Sequence, residues 1–236
     1  MRITDAQGRR IGFVNDQLVN EIPDAFSFGP LGGLGIPREP IYYLPSTNAY
    51  TITMDGQTLT RSEVVSTTQI GPGYAVAVEG VTLNPASNSR LVVSPDGRQL
   101  TYRSNTNDEV ALTLALDTSS RSDEFVIKGA DIRSGQQLTL IANTGNGQLE
   151  FNSAQASGGL YDLEIIRGNT TANNMFVHSG IQISAGDTHY IDYEAWNGLD
   201  SMTLYIDHHS DGTIDMTTVL DNQLPKVYLP IVVRNY

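Results

Sequence analysis

Asp207, Asp211 and Asp215 lie close together in the segment IDHHSDGTID, and grouped carboxylates are what a hard cation needs. Counted from Asp207, the three aspartates fall at positions 1, 5 and 9 of a calcium loop, with Gly212 at position 6 and Ile214 at position 8. Calcium takes about six to eight oxygens, and a complete loop draws further ones from position 3 and from an acidic residue at position 12. Those positions hold His209 and Thr218 here, so the segment resembles EF-hand and dockerin-like loops only in part. The other reading is a β-hairpin loop in which Asp211 and Gly212 make the turn. Two similar connections elsewhere in the chain, SNTNDE and SAQASGG, do without three aspartates. That contrast makes Asp207, Asp211 and Asp215 the candidate calcium ligands. Zinc on Asp207, His208, His209 and Asp211 is disfavoured, because neighbours on an extended strand point to opposite faces.

Acid–base and nucleophilic chemistry find less support. No GxSxG element poises a serine on a strained turn, and without cysteine there is no thiol nucleophile. His178 takes a slot that two similar segments fill with Val78 and Ile127, so it is expected in the core, whereas His189 is expected on a solvated face. Asp192 and Glu194 share a strand face and read as surface charges rather than an opposed glycosidase pair. Tyr190, Tyr193 and Trp196 cluster in one stretch and are candidates for stacking on a sugar. Their alternative role is to cap the core, since a lone Trp is buried more often than displayed.

The elements that position these residues follow from a repeat. VAVEGVTL, FVIKGADI and FVHSGIQI align on Gly80, Gly129 and Gly180, at spacings of 129 − 80 = 49 and 180 − 129 = 51 residues. Val76, Phe125 and Phe176 stand four residues before the glycine, and Leu83, Ile132 and Ile183 three after it, so both slots are expected to face the core. Each segment is followed by a turn, a second strand, a glycine turn and two more strands that alternate apolar with polar residues. Three four-stranded copies result, at 74–118, 124–168 and 175–221.

The expected fold is all-β and antiparallel, three tandem four-stranded repeats of about 50 residues packed like a sandwich. A closed pseudo-threefold prism or trefoil-like body is the alternative. No segment keeps a helical period over three turns. Residues 1–70 form a less regular β segment or small lobe with a Gly/Pro-rich loop at 29–40, 71–222 the repeat domain, and 223–236 a closing edge strand or tail. Because an exposed edge is a template for strand addition, 225–236 is a candidate for pairing with another chain.

Composition bounds the partners. Fourteen basic against 26 acidic residues give −12, which repels nucleic acid and anionic membrane surfaces. No apolar run of about 18 residues marks a membrane span, and no apolar stretch near Met1 marks a secretory signal.

DAQGRRIGF, NEIPDAF, IGPGYAVAVEGV, SDGTID and VYLPIVVRNY together resemble the C-terminal accessory β regions of secreted multidomain bacterial proteins, of the kind that follow α/β-hydrolase domains of lipase or esterase type. The resemblance implies an extracellular or cell-surface setting, a catalytic domain elsewhere in the same precursor, and no catalysis or required cofactor in this part. It brings no site residue to carry over. The function expected is a non-catalytic module for interaction, spacing or stabilisation. A carbohydrate-binding module and a small hydrolase with an unrecognised site are the alternatives.

Overall fold

Alternation of apolar and polar residues, interrupted at fixed places by glycine, produces nineteen strands among the described residues. In this computed structural model the described residues are 1–15, 17–29, 39–46, 48–153, 158–169, 172–198 and 200–224. The strands before the repeat are β1 (Arg2–Asp5), β2 (Arg10–Val14), β3 (Gln17–Asn20), β4 (Phe26–Phe28), β5 (Ile41–Tyr43), β6 (Tyr50–Asp55) and β7 (Glu63–Gly71). Next come β8 (Tyr74–Leu83), β9 (Asn88–Val93), β10 (Gln99–Ser104), β11 (Asp108–Asp117), β12 (Ser122–Ile132) and β13 (Gln137–Asn143). The last are β14 (Gln148–Asn152), β15 (Gly159–Gly168), β16 (Asn173–Ile183), β17 (Thr188–Asp192), β18 (Ser201–Asp207) and β19 (Met216–Asp221). The only helical turn among the described residues is a short 3-10 segment at His208–Ser210.

Two antiparallel sheets carry almost all of these strands. One has eleven, ordered β19-β18-β17-β14-β13-β10-β9-β6-β1-β2-β3, and the other six, ordered β16-β15-β12-β11-β8-β7. A separate ribbon pairs β4 with β5. The inner faces of the two large sheets share one hydrophobic core, to which Val76, Phe125 and Phe176 contribute from one side and Leu91, Leu140 and Leu149 from the other. The arrangement is sandwich-like, not a closed threefold body. The N-terminal strands β1, β2, β3 and β6 continue the eleven-stranded sheet.

The chain shuttles between the layers. β8 lies in the six-stranded sheet, β9 and β10 in the other, and β11 returns to the first; β12 to β15 repeat the excursion. β16, β17 and β18 begin it again, but β19 stays in the eleven-stranded sheet beside β18. Period-2 patterning tells which face of a strand is inward, not which sheet the strand joins.

Gly80, Gly129 and Gly180 mark one device used three times. At each, two residues of one strand oppose one of its neighbour: Glu79 and Gly80 face Ser66, Lys128 and Gly129 face Ala111, and Ser179 and Gly180 face Asp162. These are β-bulges, and the glycines have φ of +79°, +68° and +75°. The extra residue resets the alternation, so that Val76 and Val78 before Gly80, and Val81 and Leu83 after it, all face inward. An uninterrupted strand would turn one of the two pairs out to solvent.

Candidate functional site

The acidic loop joins β18 to β19. Asp207 is 1% exposed, and its carboxylate accepts the backbone N–H groups of Asp211 at 3.0 Å and Gly212 at 2.9 Å. Asp211 accepts the N–H of Thr213, and Asp215 that of His208. The turn is sharp, with His209 and Ser210 both at positive φ. Each aspartate therefore already serves as an acceptor within its own loop. Among the described residues, no group of three or more His, Asp or Glu side chains is arranged to hold a metal ion.

The expected equivalence of this loop to the other two connections does not hold. SNTNDE links β10 to β11 and so passes between the sheets, as does the connection from β14 to β15. The β18–β19 loop instead reverses the chain within one sheet. A tight reversal leaves backbone N–H groups turned inward with no strand partner, and Asp207 is the acceptor that satisfies two of them.

A second cluster abuts the loop. His208 Nδ1 lies 2.9 Å from Asp187, whose other carboxylate oxygen accepts the N–H of Ser184. Burial alone pushes the Asp187 carboxyl up, but these bonds outweigh it and hold the group below the usual carboxylate range. The same hydrogen bond, with the charge of Asp187, raises the His208 imidazole above its ordinary value. An Asp–His dyad of this kind orients a general base. Among the described residues no serine or threonine hydroxyl is hydrogen-bonded to His208.

The two β-strand histidines depart from their expected environments. His189 is fully buried, not solvated: it stands opposite Phe151 on the inward face of β17. Burial lowers its pKa to about 4. His178 does share the inward face, but β16 is the last strand of its sheet, so no neighbouring strand completes its burial. Its half-buried ring donates Nδ1–H to the carbonyl of Asp221, 2.8 Å away.

Tyr190, Tyr193 and Trp196 do not form a displayed platform. Tyr193 and Trp196 are 1% and 3% exposed, packed edge-on against Phe125 and Phe176. Tyr190 is half-buried and sits across from Glu150 and Tyr205. Arg167, not singled out in the sequence, locks the two buried rings in place. Its guanidinium bonds to Asp123 at 2.7 Å and to the carbonyls of Tyr193 and Trp196 at 2.8 and 2.9 Å, and lies over both rings. Asp192 accepts the N–H of Ala195, and Glu194 forms a double hydrogen bond with Arg121.

Displayed aromatics occur elsewhere, on the ribbon of β4 and β5. Phe26 stacks on Tyr43 at 4.5 Å, Phe28 lies 5.5 Å from the same ring, and with Ile41 all are 40% to 55% exposed. Alternation in FSF and IYY was the available signal. Residues 30–38, between these strands, and the tail 225–236 lie outside the described residues. No protein-family model, no curated protein and no solved structure matches the chain. No helix among the described residues is long and apolar enough to cross a membrane.

Proposed function

We propose that this chain is a non-catalytic interaction module, an accessory β region working beside a catalytic domain in a secreted or cell-surface protein. The exposed ribbon of Phe26, Phe28, Ile41 and Tyr43 carries the reading. A contiguous exposed apolar patch on its own two-stranded ribbon is suited to contact with another surface. The dyad of Asp187 and His208 fits the same reading, since it serves the loop beside it.

Carbohydrate is the second reading. Phe26, Phe28 and Tyr43 are exposed, and exposed aromatic rings suit the apolar face of a sugar.

Adsorption to cell-wall preparations and to insoluble polysaccharides tests both. Phe26→Ser combined with Tyr43→Ser is expected to weaken retention at least about tenfold, the loss of about 1.4 kcal/mol of binding. Unchanged retention, or turnover by the wild-type chain in an esterase and glycosidase panel, overturns the first reading. Retention confined to polysaccharide selects the second.

A further inference from the structure

The two edges of the six-stranded sheet are finished differently. Along β16 the edge is covered: Asn222 accepts the N–H of Val177 and donates to the carbonyl of Met175, the N–H of Gln223 donates to the carbonyl of Val177, and the Gln223 side chain accepts the N–H of Ser179. Along β7, nothing among the described residues pairs with the outer side. β7 has nine residues, EVVSTTQIG, with no proline and no basic residue, and Val64 and Ile70 are 72% and 79% exposed. Proteins ordinarily blunt such an edge with lysine, proline or a short strand.

Beyond β7 the eleven-stranded sheet continues, and the space left beside the edge is a cleft of about 560 Å³. Ser66 to Pro72 form one wall, Ile41 to Ser46 the other, and Ile3 and Ile52 line it from the facing sheet. A groove with a free strand edge on one side and tyrosines on the other suits an extended apolar segment, held by backbone pairing and by side-chain pockets.

We propose that β7 is an acceptor edge, and that segment 225–236 of a second copy of this chain adds to it as a further strand in this cleft. The proposal rests on the interaction-module reading and names its partner. PKVYLPIVVRNY is rich in β-branched and aromatic residues, and its prolines are tolerated on a strand that becomes the new edge. Charge agrees: the segment holds Lys226 and Arg234 and no acid, so residues 1–224 have 14 − 2 = 12 basic against 26 acidic residues, a net −14. Length selects the second copy. The segment departs next to β16, where Gln223 is held, and β7 lies five strand spacings away, about 24 Å. Twelve extended residues reach at most about 40 Å, too short to cross the sheet's outer face and then run the length of β7.

A contact between one end of a molecule and the other end of the next leaves a free donor and a free acceptor on every open oligomer, so association continues beyond the dimer unless a ring closes. Sedimentation of the full chain over a range of concentrations is expected to show dimers and longer chains. Ser66→Lys with Ile70→Lys disables the acceptor, and Ile231→Lys with Val233→Lys disables the donor; circular dichroism checks that both variants remain folded. Each variant alone is expected to be monomeric. Their equimolar mixture is expected to form a one-to-one dimer that does not grow. A wild-type chain monomeric at every concentration, variants that associate as wild type does, or a mixture that stays monomeric overturns the proposal. Adsorption through the ribbon is read in a separate assay, so failure here leaves that reading standing.

Discussion

The phenol oxygen of Tyr161, on the six-stranded sheet, lies 2.9 Å from Nδ1 of His189 on the eleven-stranded sheet, and neither residue is more than 1% exposed. Burial raises the Tyr161 pKa, so its hydroxyl stays protonated and shares one hydrogen bond with Nδ1. The other ring nitrogen of His189, Nε2, is buried with no partner among the described residues.

Acid should therefore destabilise this fold. Below about pH 6.5 the unfolded imidazole takes up a proton that the folded His189 refuses until about pH 4. The contribution is complete above the unfolded value, declines as pH falls between the two, and is gone below the lower one. Its size is on the order of 3 kcal/mol. Urea unfolding across this window is expected to show the loss, and His189→Gln to remove most of the slope.

His208 acts in the opposite sense. Its folded pKa is raised, so its contribution is complete below the unfolded value near about 6.5 and disappears as pH climbs through the folded one. Asp187, held low, contributes above the ordinary carboxylate range and ceases to as pH falls through its own lowered value. His208→Gln is thus expected to abolish the loss of stability as pH climbs above about 6.5, in the urea series extended to alkaline pH, and to leave the slope below about 6.5 to His189. An unchanged profile would remove the dyad from the account.

Why the two histidines were misplaced from sequence is a matter of what surrounds an inward slot. Alternation identified the slots, and Val76, Phe125 and Phe176 are buried as expected. For His178 the deciding fact is that β16 ends its sheet, and for His189 that Tyr161 waits across the core. Arg167 was illegible for a related reason: its partners Asp123, Trp196 and Tyr193 lie 44, 29 and 26 residues away. The bulge glycines were legible as a repeated position, because a reset of phase is written into the sequence itself.

Arg167→Met is expected to cost about 3 kcal/mol, because it strips Asp123 of a buried partner and leaves two carbonyls unsatisfied. Arg121 also binds Asp123, at 2.7 Å, but is 31% exposed. Arg121→Met should cost about 1 kcal/mol or less. Chemical denaturation of both variants gives the comparison, and equal costs would refute the central role of Arg167.

Gly180 offers a clean measure of the bulge. A Cβ there meets nothing within 4 Å, so Gly180→Ala tests backbone strain alone, at φ +75°. About 1 kcal/mol is expected. Gly97→Ala adds steric conflict to a φ of +70°, since its Cβ would stand 2.0 Å from the Tyr74 ring, and it should lower the unfolding midpoint further.

Asp207 decides whether the last strand folds back beside β18. Two inward N–H groups depend on its carboxylate, and each buried donor left without an acceptor costs about 1–3 kcal/mol. Asp207→Ala should therefore destabilise by about 2–4 kcal/mol, whereas Asp207→Asn, which keeps one acceptor oxygen, should lose about half of that. The damage should extend beyond the hairpin, because β19 leads into Asn222 and Gln223, which cover the edge of β16. Hydrogen exchange at Val177 and Ser179 is expected to accelerate in Asp207→Ala along with that of β19. Because the three carboxylates are already bonded within the loop, the wild-type unfolding midpoint is expected to be the same in calcium and in chelator. A calcium-dependent rise, lost in Asp207→Ala, would instead show that the loop reorganises around the ion.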